Sequence, residues 1–205
     1  YTTLFRSEGL AGKNATHIPF DVLQDDLPLE KLPAVIDGFA YCPGSINLRP
    51  FKGLKPEAFT ADFSINVMGA VKTLQQLQPL LAASEQASVV LFSTVAVQTG
   101  MPFHASVAAA KGAVEGLGRS LAAEWAPKVR VNVIAPSITD TPLANRFLNN
   151  DAKKEKAALR HPLKRIGTTQ DVAQLAAFLL SDKSSWMTGQ VLGLDGGMSS
   201  LNVNG

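Results

Sequence analysis

The sequence is poor in the residues that hold together small secreted proteins and metalloproteins. Its 205 residues include one cysteine, Cys42, which excludes an intrachain disulfide framework and favours a reducing compartment. The three histidines are scattered, without the spacing of metal ligands, so we predict no metal site. Disulfide scaffolds and metal-dependent enzymes are therefore disfavoured from the start.

Long apolar runs and a strong charge imbalance are also missing. No apolar segment reaches the roughly 20 residues of a transmembrane helix, and the amino terminus shows no charged-then-apolar secretory pattern. The formal net charge is +2, and the mixed run 153–156 indicates a solvated helix face and no nucleic-acid partner. A hydrophobic fraction of 46% is typical of a soluble globular protein. We expect one cytoplasmic domain over 1–205, with no membrane partner.

What the sequence does contain is an alternation of apolar runs and amphipathic segments. Such an alternation predicts an α/β fold, with helices on both faces of a parallel sheet. The predicted strands are 16–22, 34–41, 88–93, 129–135 and 190–194. The predicted helices are 27–32, 56–83 (with a kink or an end at Pro79), 103–125, 143–159 and 169–180.

One helix carries a spacing that suggests chemistry. Lys111 stands among small apolar residues, and Val107 precedes it by four positions. Residues four apart share one helix face, so a phenol and an ammonium there can act on the same bound molecules. The ammonium would also lower the pKa of the phenol toward the range useful for proton transfer. Valine at position 107 can do none of this.

The run 103–113, with its flanks, resembles the active-site helix of the short-chain dehydrogenase/reductase family, in which the position of Val107 is a tyrosine. The resemblance extends from Asp21 to about Ser199. It implies a three-layer, doubly wound Rossmann-type parallel sheet. It also implies an oxidoreductase that transfers hydride between NAD or NADP and a small alcohol or carbonyl substrate, and that forms a homodimer or homotetramer.

The resemblance also predicts a missing portion. The family fold opens with a strand, a Gly-rich turn, a helix and a second strand, but only about fifteen residues precede the predicted strand at 16–22. A βαβ unit needs about 30 residues or more. We therefore expect that the first βαβ portion is absent, that the sequence is a fragment, and that 1–7 form a non-native leader. The residue that separates NAD from NADP lies in that portion, so the two cofactors stay open.

Four residues are candidates for catalysis. The resemblance implies that Lys111 holds the nicotinamide ribose, that Asn66 holds a relay water, and that Thr94 contacts the substrate oxygen. Ser93 is an alternative to Thr94, although strand alternation turns it to the other side. His104, seven positions before Lys111, is a candidate proton donor because imidazole titrates in a suitable range. A helix cap or a pocket wall is the alternative role for His104.

Further residues resemble cofactor contacts. A pair at the end of the first predicted strand matches the adenine contact, and a loop after the strand at 129–135 matches the clamp on the nicotinamide carboxamide. The implied cofactor-binding residues are Asp21, Val22, Gly44, Lys111, Pro136, Thr139 and Thr141. Because the tyrosine is lost, a second hypothesis stays open: a catalytically impaired homologue that acts as a nucleotide-binding or oligomeric scaffold.

Overall fold

A computed structural model describes residues 15–202 of the chain. The strands of this part, in chain order, are β1 (Gly38–Ala40), β2 (Ala87–Phe92), β3 (Val129–Pro136) and β4 (Val191–Leu194). They form one sheet in the order β1-β2-β3-β4, and every neighbouring pair is parallel. The predicted leader at 1–7 lies outside the described residues.

Helices connect the strands. They are α1 (Pro56–Phe63), α2 (Gly69–Ala82), α3 (Ala96–Thr99), α4 (Ala105–Trp125), α5 (Asn145–Leu148), α6 (Asp151–Leu159) and α7 (Thr169–Leu180). A π-helical segment, Ser64–Met68, joins α1 to α2 without a break in the chain direction. Short 3-10 turns lie at Leu29–Lys31, Phe51–Gly53, Pro142–Ala144 and Asp182–Ser184. Across residues 15–202, no helix is both long and apolar enough to cross a membrane.

Alternation along β2 shows how the two faces of the sheet are covered. Val89 and Leu91 belong to a core formed with α2 and α4, whereas Val90 belongs to a second core with Leu179 of α7. Successive side chains of a strand point to opposite faces, so a strand covered on both sides becomes a continuous apolar run. The three-layer, doubly wound parallel sheet predicted from the sequence is confirmed.

Two predicted elements near the start are wrong, and a third is shorter than predicted. The segment 16–22 is irregular, because Asp21 Oδ1 accepts hydrogen bonds from the backbone N–H of Leu23 at 2.8 Å and of Gln24 at 3.3 Å. These bonds close a turn where the strand was expected to end. The helix at 27–32 is only the 3-10 turn, and the strand at 34–41 is reduced to β1. Among residues 15–202, no strand precedes β1, which lies at the sheet edge.

Two predicted helices are divided. The helix at 56–83 is interrupted by the π-helical segment, in which Asn66 Nδ2 donates to the Asp62 carbonyl at 2.7 Å. That carbonyl is the one that the Asn66 backbone would use in an α-helix. The helix at 143–159 is divided because Asn150 caps α6, its side chain accepting from Lys153 N. Pro79 lies within the last turn of α2 and does not end the helix there.

Candidate active site

The carboxyl ends of the strands border a cavity of about 810 Å³. Cys42 follows β1, Thr94 follows β2 and Ser137 follows β3, and all three line the cavity. Its other walls are the start of α4, the start of α7 and one face of α6. Because parallel strands point the same way, their carboxyl ends meet at one edge of the sheet, where open α/β folds bind ligands.

Gly44 and Lys111 lie at the floor of this cavity, and Asn66, which does not line it, lies directly beside them. A Cβ atom placed on Gly44 would lie 3.1 Å from Asn66 Oδ1 and 3.4 Å from Lys111 Nζ. The ammonium of Lys111 is held by a 2.8 Å hydrogen bond to the carbonyl oxygen of Phe92, the last residue of β2. The structure therefore brings together three residues that the sequence placed in one site, while their roles stay predictions.

The environment of Lys111 changes its acidity. Burial lowers the pKa of Lys111 from its ordinary value of 10.5 to about 8, because desolvation penalises the ammonium. Asp62 and Cys42 oppose this effect, since negative charge nearby favours the protonated form. The side chain is thus a cation that titrates within reach of neutral pH.

Asn66 is the centre of a polar network that the sequence analysis missed. Its amide Nδ2 donates to Ser45 Oγ at 3.0 Å, and Ser45 Oγ donates to Asp62 Oδ1 at 2.5 Å. Asn47 Nδ2 also donates to Asp62 Oδ1, at 2.9 Å. Asn66 Oδ1 is buried and accepts no hydrogen bond within the part of the chain that the structure describes. The signal in the sequence was Asp62, an acid inside an amphipathic helix one turn before Asn66.

The two hydroxyls at the end of β2 are used differently. Ser93 Oγ donates to Glu115 Oε1 of α4 at 2.7 Å, although Ser93 also borders the cavity. Thr94 lines the cavity, and its hydroxyl oxygen accepts a 3.3 Å bond from Ala96 N. The Thr94 proton meets no acceptor among the described residues, while the contact of Thr94 with a substrate oxygen stays a prediction.

His104 and Val107 occupy the start of α4 and both line the cavity. His104 stands at the N-cap position without a side-chain capping bond. Its Nδ1 lies 2.8 Å from the Pro102 carbonyl oxygen, which can only accept, so Nδ1 carries a proton and donates this bond. Val107 is 5% exposed and contributes only methyl groups to the wall.

Tyr41, the tyrosine nearest to the site among the strand ends, does not supply a phenol to the cavity. Its hydroxyl donates to the Ile65 carbonyl oxygen at 2.7 Å, and the ring packs in the core below the sheet edge. Burial raises the pKa of Tyr41, with the Asp21 carboxylate as a second cause. Tyr41 is not among the cavity-lining residues. Its bond to Ile65 instead stabilises the π-helical segment that carries Asn66.

The predicted cofactor contacts are divided between two places. Pro136, Thr139 and Thr141 line the cavity, and Thr141 Oγ1 also accepts from Ala144 N at 3.3 Å, capping the turn that follows. The remaining two predicted contacts, Asp21 and Val22, do not line it, because Asp21 closes a turn and Val22 packs into the core beside Gly69. Their role as adenine contacts stays a prediction.

The mixed run 153–156 was expected to form a solvated helix face, yet Lys153 and Lys156 of α6, and Arg160 directly after it, reach the cavity. Lys153, Lys156 and Arg160 all line it, together with Ala157. The side chains are exposed, as predicted, but they are exposed to this cavity. A helical period read along 153–160 would have shown the three cations on one face.

Comparison with known proteins places these features in a family. Residues 29–199 match the family model described as enoyl-(acyl carrier protein) reductase. A tropinone reductase homolog of Arabidopsis thaliana is 37% identical over 163 residues, which are 79% of this chain and 61% of that protein. An inactive 2-(S)-hydroxypropyl-CoM dehydrogenase of Xanthobacter autotrophicus is 36% identical over 143 residues, covering 67% of this chain and 62% of that protein.

A solved structure agrees. The gluconate 5-dehydrogenase of Burkholderia cenocepacia, in complex with NADP and tartrate, superposes with a TM-score of 0.78 at 26% identity, covering 85% of this chain and 68% of that one. The chain spans about three fifths of the length of the Arabidopsis relative. The matched residues include the strand ends and the Lys111 helix that border the cavity, with Asn66 beside them. The chain belongs to the short-chain dehydrogenase/reductase family of oxidoreductases.

Proposed function

We propose that this protein is a cytoplasmic oxidoreductase that transfers hydride between NAD or NADP and a small alcohol or carbonyl substrate. The observation that carries the proposal is that Lys111 and Gly44 line the cavity floor with Asn66 beside them. A bound nicotinamide cofactor would supply or accept the hydride. The residues present fit its ribose end, because the Lys111 ammonium borders a space that a side chain at position 44 would narrow, and Asn66 Oδ1 beside it accepts no hydrogen bond among the described residues.

Each side chain has a specific task in this proposal. Lys111 gives one N–H to Phe92 O, which fixes the ammonium and leaves two donors for ribose hydroxyls. The hydroxyl of Thr94 donates to the substrate oxygen, while Thr139 and Thr141 contact the carboxamide from the loop after β3. Asn66 Oδ1 accepts from a water that relays protons toward Lys111.

The binding half of the proposal is tested by titration of NADH and NADPH, with calorimetry or cofactor fluorescence as the readout. We expect saturable binding of at least one nucleotide and its loss in Lys111→Met. Lys128→Met is the matched control, because Lys128 precedes β3 and lies at the opposite edge of the sheet. No binding of either nucleotide to the protein would contradict the proposal.

For the proton we propose His104, through Nε2. The 2.8 Å bond at Nδ1 orients the ring, so that Nε2 is the atom available to protonate an alkoxide. His104→Ala is expected to lower turnover roughly 100-fold or more, the usual scale for a general acid, with little change in cofactor affinity. The exposed His17 provides a control substitution. Normal turnover of His104→Ala would return this residue to the pocket wall.

A catalytically impaired scaffold is the second candidate function, and Val107 is the observation that favours it. The lost phenol leaves a buried methyl surface beside Lys111. The two functions are separated by Val107→Tyr, whose added ring can extend into the cavity that Val107 lines. An increase in reductase rate is expected if the rest of the site is competent. An unchanged rate would mean that the proton comes from elsewhere, or that no reaction occurs in either protein.

We also propose that the protein is a homodimer or homotetramer. Support comes from exposed apolar residues along the α1–π–α2 segment, Phe63 and Met68, and from Gly116 on α4, above which the structure leaves open space for a second backbone. A surface of this kind favours self-association. Light scattering at micromolar concentration measures the mass directly, and a clean monomer would contradict the proposal.

A further inference from the structure

Three basic residues in and directly after α6 lie on the side of the helix that faces the cavity. Lys153, Lys156 and Arg160 occupy positions i, i+3 and i+7, which fall on one side of an α-helix, and all three line the cavity. Lys154 is on another side of the helix and forms a 2.8 Å ion pair with Asp140. Lys154 is therefore neutralised within the protein, whereas the other three cations line the cavity.

None of the three cavity-facing cations has an acidic partner among the described residues. Lys153 Nζ donates to Asn149 Oδ1 at 2.9 Å, a neutral amide. Arg160 Nη2 lies 3.9 Å from the sulfur of Met101, and the side chain of Lys156 makes no hydrogen bond or ion pair within residues 15–202. The described cavity-lining residues include no aspartate or glutamate, since Asp151 and Glu155 of α6 lie outside the lining. With Lys111 at the floor, the charged side chains that line this cavity are all basic.

Such an arrangement is unfavourable for the protein alone. Like charges three or four positions apart on a helix destabilise it, and a cleft lined by one sign of charge concentrates ions of the opposite sign. The contact of Arg160 with Met101 places the guanidinium against the segment that leads into His104. The positive face thus borders the same space in which His104 and Thr94 would meet a substrate oxygen.

We propose that α6 forms an oxyanion-binding subsite, and that the substrate of the oxidoreductase carries a carboxylate or a phosphate in addition to the carbonyl or alcohol that reacts. The inference rests on the proposed function of the same cavity. The planar guanidinium of Arg160 can hold an oxyanion through two N–H groups, and the ammonium of Lys156 adds a point charge. Lys153, already bonded to Asn149, contributes mainly through its field.

Pairs of probes that share a ketone, and of which only one member carries an oxyanion, test the proposal. 4-Oxopentanoate and its methyl ester share a ketone, as do dihydroxyacetone phosphate and dihydroxyacetone, and one member of each pair lacks the negative charge. Binding to the cofactor-loaded protein is measured by calorimetry, and reduction is followed by oxidation of the nicotinamide. We expect the charged member of at least one pair to bind about tenfold tighter or more, as for charge-assisted hydrogen bonds. Which pair responds identifies carboxylate or phosphate as the oxyanion.

Variants of α6 assign the effect to this helix. Arg160→Gln and Lys156→Gln are expected to reduce the preference for the charged member, with the larger loss in Arg160→Gln. Lys154→Gln removes an equal charge from the same helix, outside the cavity lining, and is expected to leave the preference unchanged. Raising the ionic strength should weaken binding of the charged probe only.

The outcomes separate this inference from the proposed function. Equal affinities within both pairs, or an effect of Lys154→Gln as large as that of Arg160→Gln, would overturn the subsite. Charge-dependent binding that Arg160→Gln abolishes, without any nicotinamide oxidation, would support the subsite and count against the reaction. Should neither nucleotide bind, the proposed function fails, and the same calorimetric comparison on the protein without cofactor still decides on the subsite.

Discussion

The two sides of the cavity are built in opposite ways. The inner wall, formed by the carboxyl ends of β2 and β3 with α4, continues directly into the core, where Leu91 and Val131 are fully buried. The outer wall, α6, contains no buried residue. The inner wall carries Lys111 and Thr94, whereas the outer wall carries Lys156 and Arg160. The proposed chemistry is thus tied to the fold, while the proposed recognition depends on a surface helix that can change without unfolding the protein.

The two walls can be compared directly by replacing one leucine with alanine on each and measuring the free energy of unfolding. Leu91→Ala in β2 is expected to lower the free energy of unfolding by about 2–5 kcal/mol, because it removes methyl groups from a packed core and leaves a cavity. Leu159→Ala, at the end of α6 where the side chain is 62% exposed, is expected to change it by less than about 0.5 kcal/mol. Urea unfolding of both variants measures the difference, and similar losses would remove the distinction between the walls.

The charge of the inner wall gives the second prediction, which depends on pH. The pKa of Lys111 is about 8 in the folded protein and 10.5 as its ordinary value. Between these values the unfolded chain binds more protons, so the free energy of unfolding rises with pH through this window. The shift corresponds to a gain on the order of 3 kcal/mol.

Comparison with Lys111→Met isolates this contribution, because the other titrating groups are common to both proteins. The stability of the wild type relative to Lys111→Met should increase from pH 8 to pH 10.5 and level off outside that window. Chemical unfolding at a series of pH values provides the curve. A difference that does not depend on pH would show that Lys111 is more hydrated than its surroundings indicate.

Helix α7 combines features of both walls, because its first residues line the cavity while Leu179, near its end, is fully buried. Thr168 and Asp171 form a capping box at the start of α7, with Thr168 Oγ1 accepting from Asp171 N at 3.1 Å and Asp171 Oδ2 accepting from Thr168 N at 2.8 Å. Thr168→Ala should cost about 1 kcal/mol. Thr168→Ser keeps the hydroxyl and should restore most of that stability in thermal or urea unfolding.

The smallest effect is expected on the outer wall. Lys154 and Asp140 form an ion pair in which both side chains are more than two fifths exposed. Exposed pairs contribute about 0–1 kcal/mol, and salt screens them. A double-mutant cycle with Lys154→Gln and Asp140→Asn should give a coupling energy of less than about 0.5 kcal/mol at 0.15 M salt. A coupling above 1 kcal/mol would mean that α6 is attached more firmly than its exposure indicates.

The sequence predicted the buried elements better than the peripheral ones. The boundaries of β2, β3 and α4 deviate by at most two residues, because strands covered on both faces and a long small-residue helix have clear patterns. The segment 16–22 has the apolar alternation of a strand, yet Phe20 packs against the core, Val22 belongs to it, and the backbone forms no ladder within the described residues. A strand forms only where its backbone pairs with a neighbouring strand, and the local sequence pattern carries no information about that neighbour.

Residues of the site were likewise predicted better on the regular elements than in the irregular loops. The family resemblance named Lys111, Asn66, Gly44 and Thr94, and the structure places the first three side by side and Thr94 in the lining of the same cavity, while their roles stay predictions. The network of Ser45, Asn47 and Asp62 was missed, since two of its members come from an irregular loop whose path no periodicity describes. The cations of α6 were expected to lie in bulk solvent, because the charge of a residue alone does not distinguish an open surface from the lining of a cavity.

Gly44 has a consequence for how this protein can change. Its backbone lies outside the left-handed region, so alanine is sterically allowed by the main chain there. The added Cβ would lie 3.1 Å from Asn66 Oδ1, closer than most such contacts, and 3.4 Å from Lys111 Nζ, at the limit of ordinary van der Waals contact. These two side chains are its only neighbours within 4 Å among the described residues, so a single carbon atom would crowd the amide and narrow the space at the ammonium without touching the core. Under the proposed function, Gly44→Ala would therefore impair cofactor binding at little cost to the fold, and activity and stability would respond separately to a change at this position.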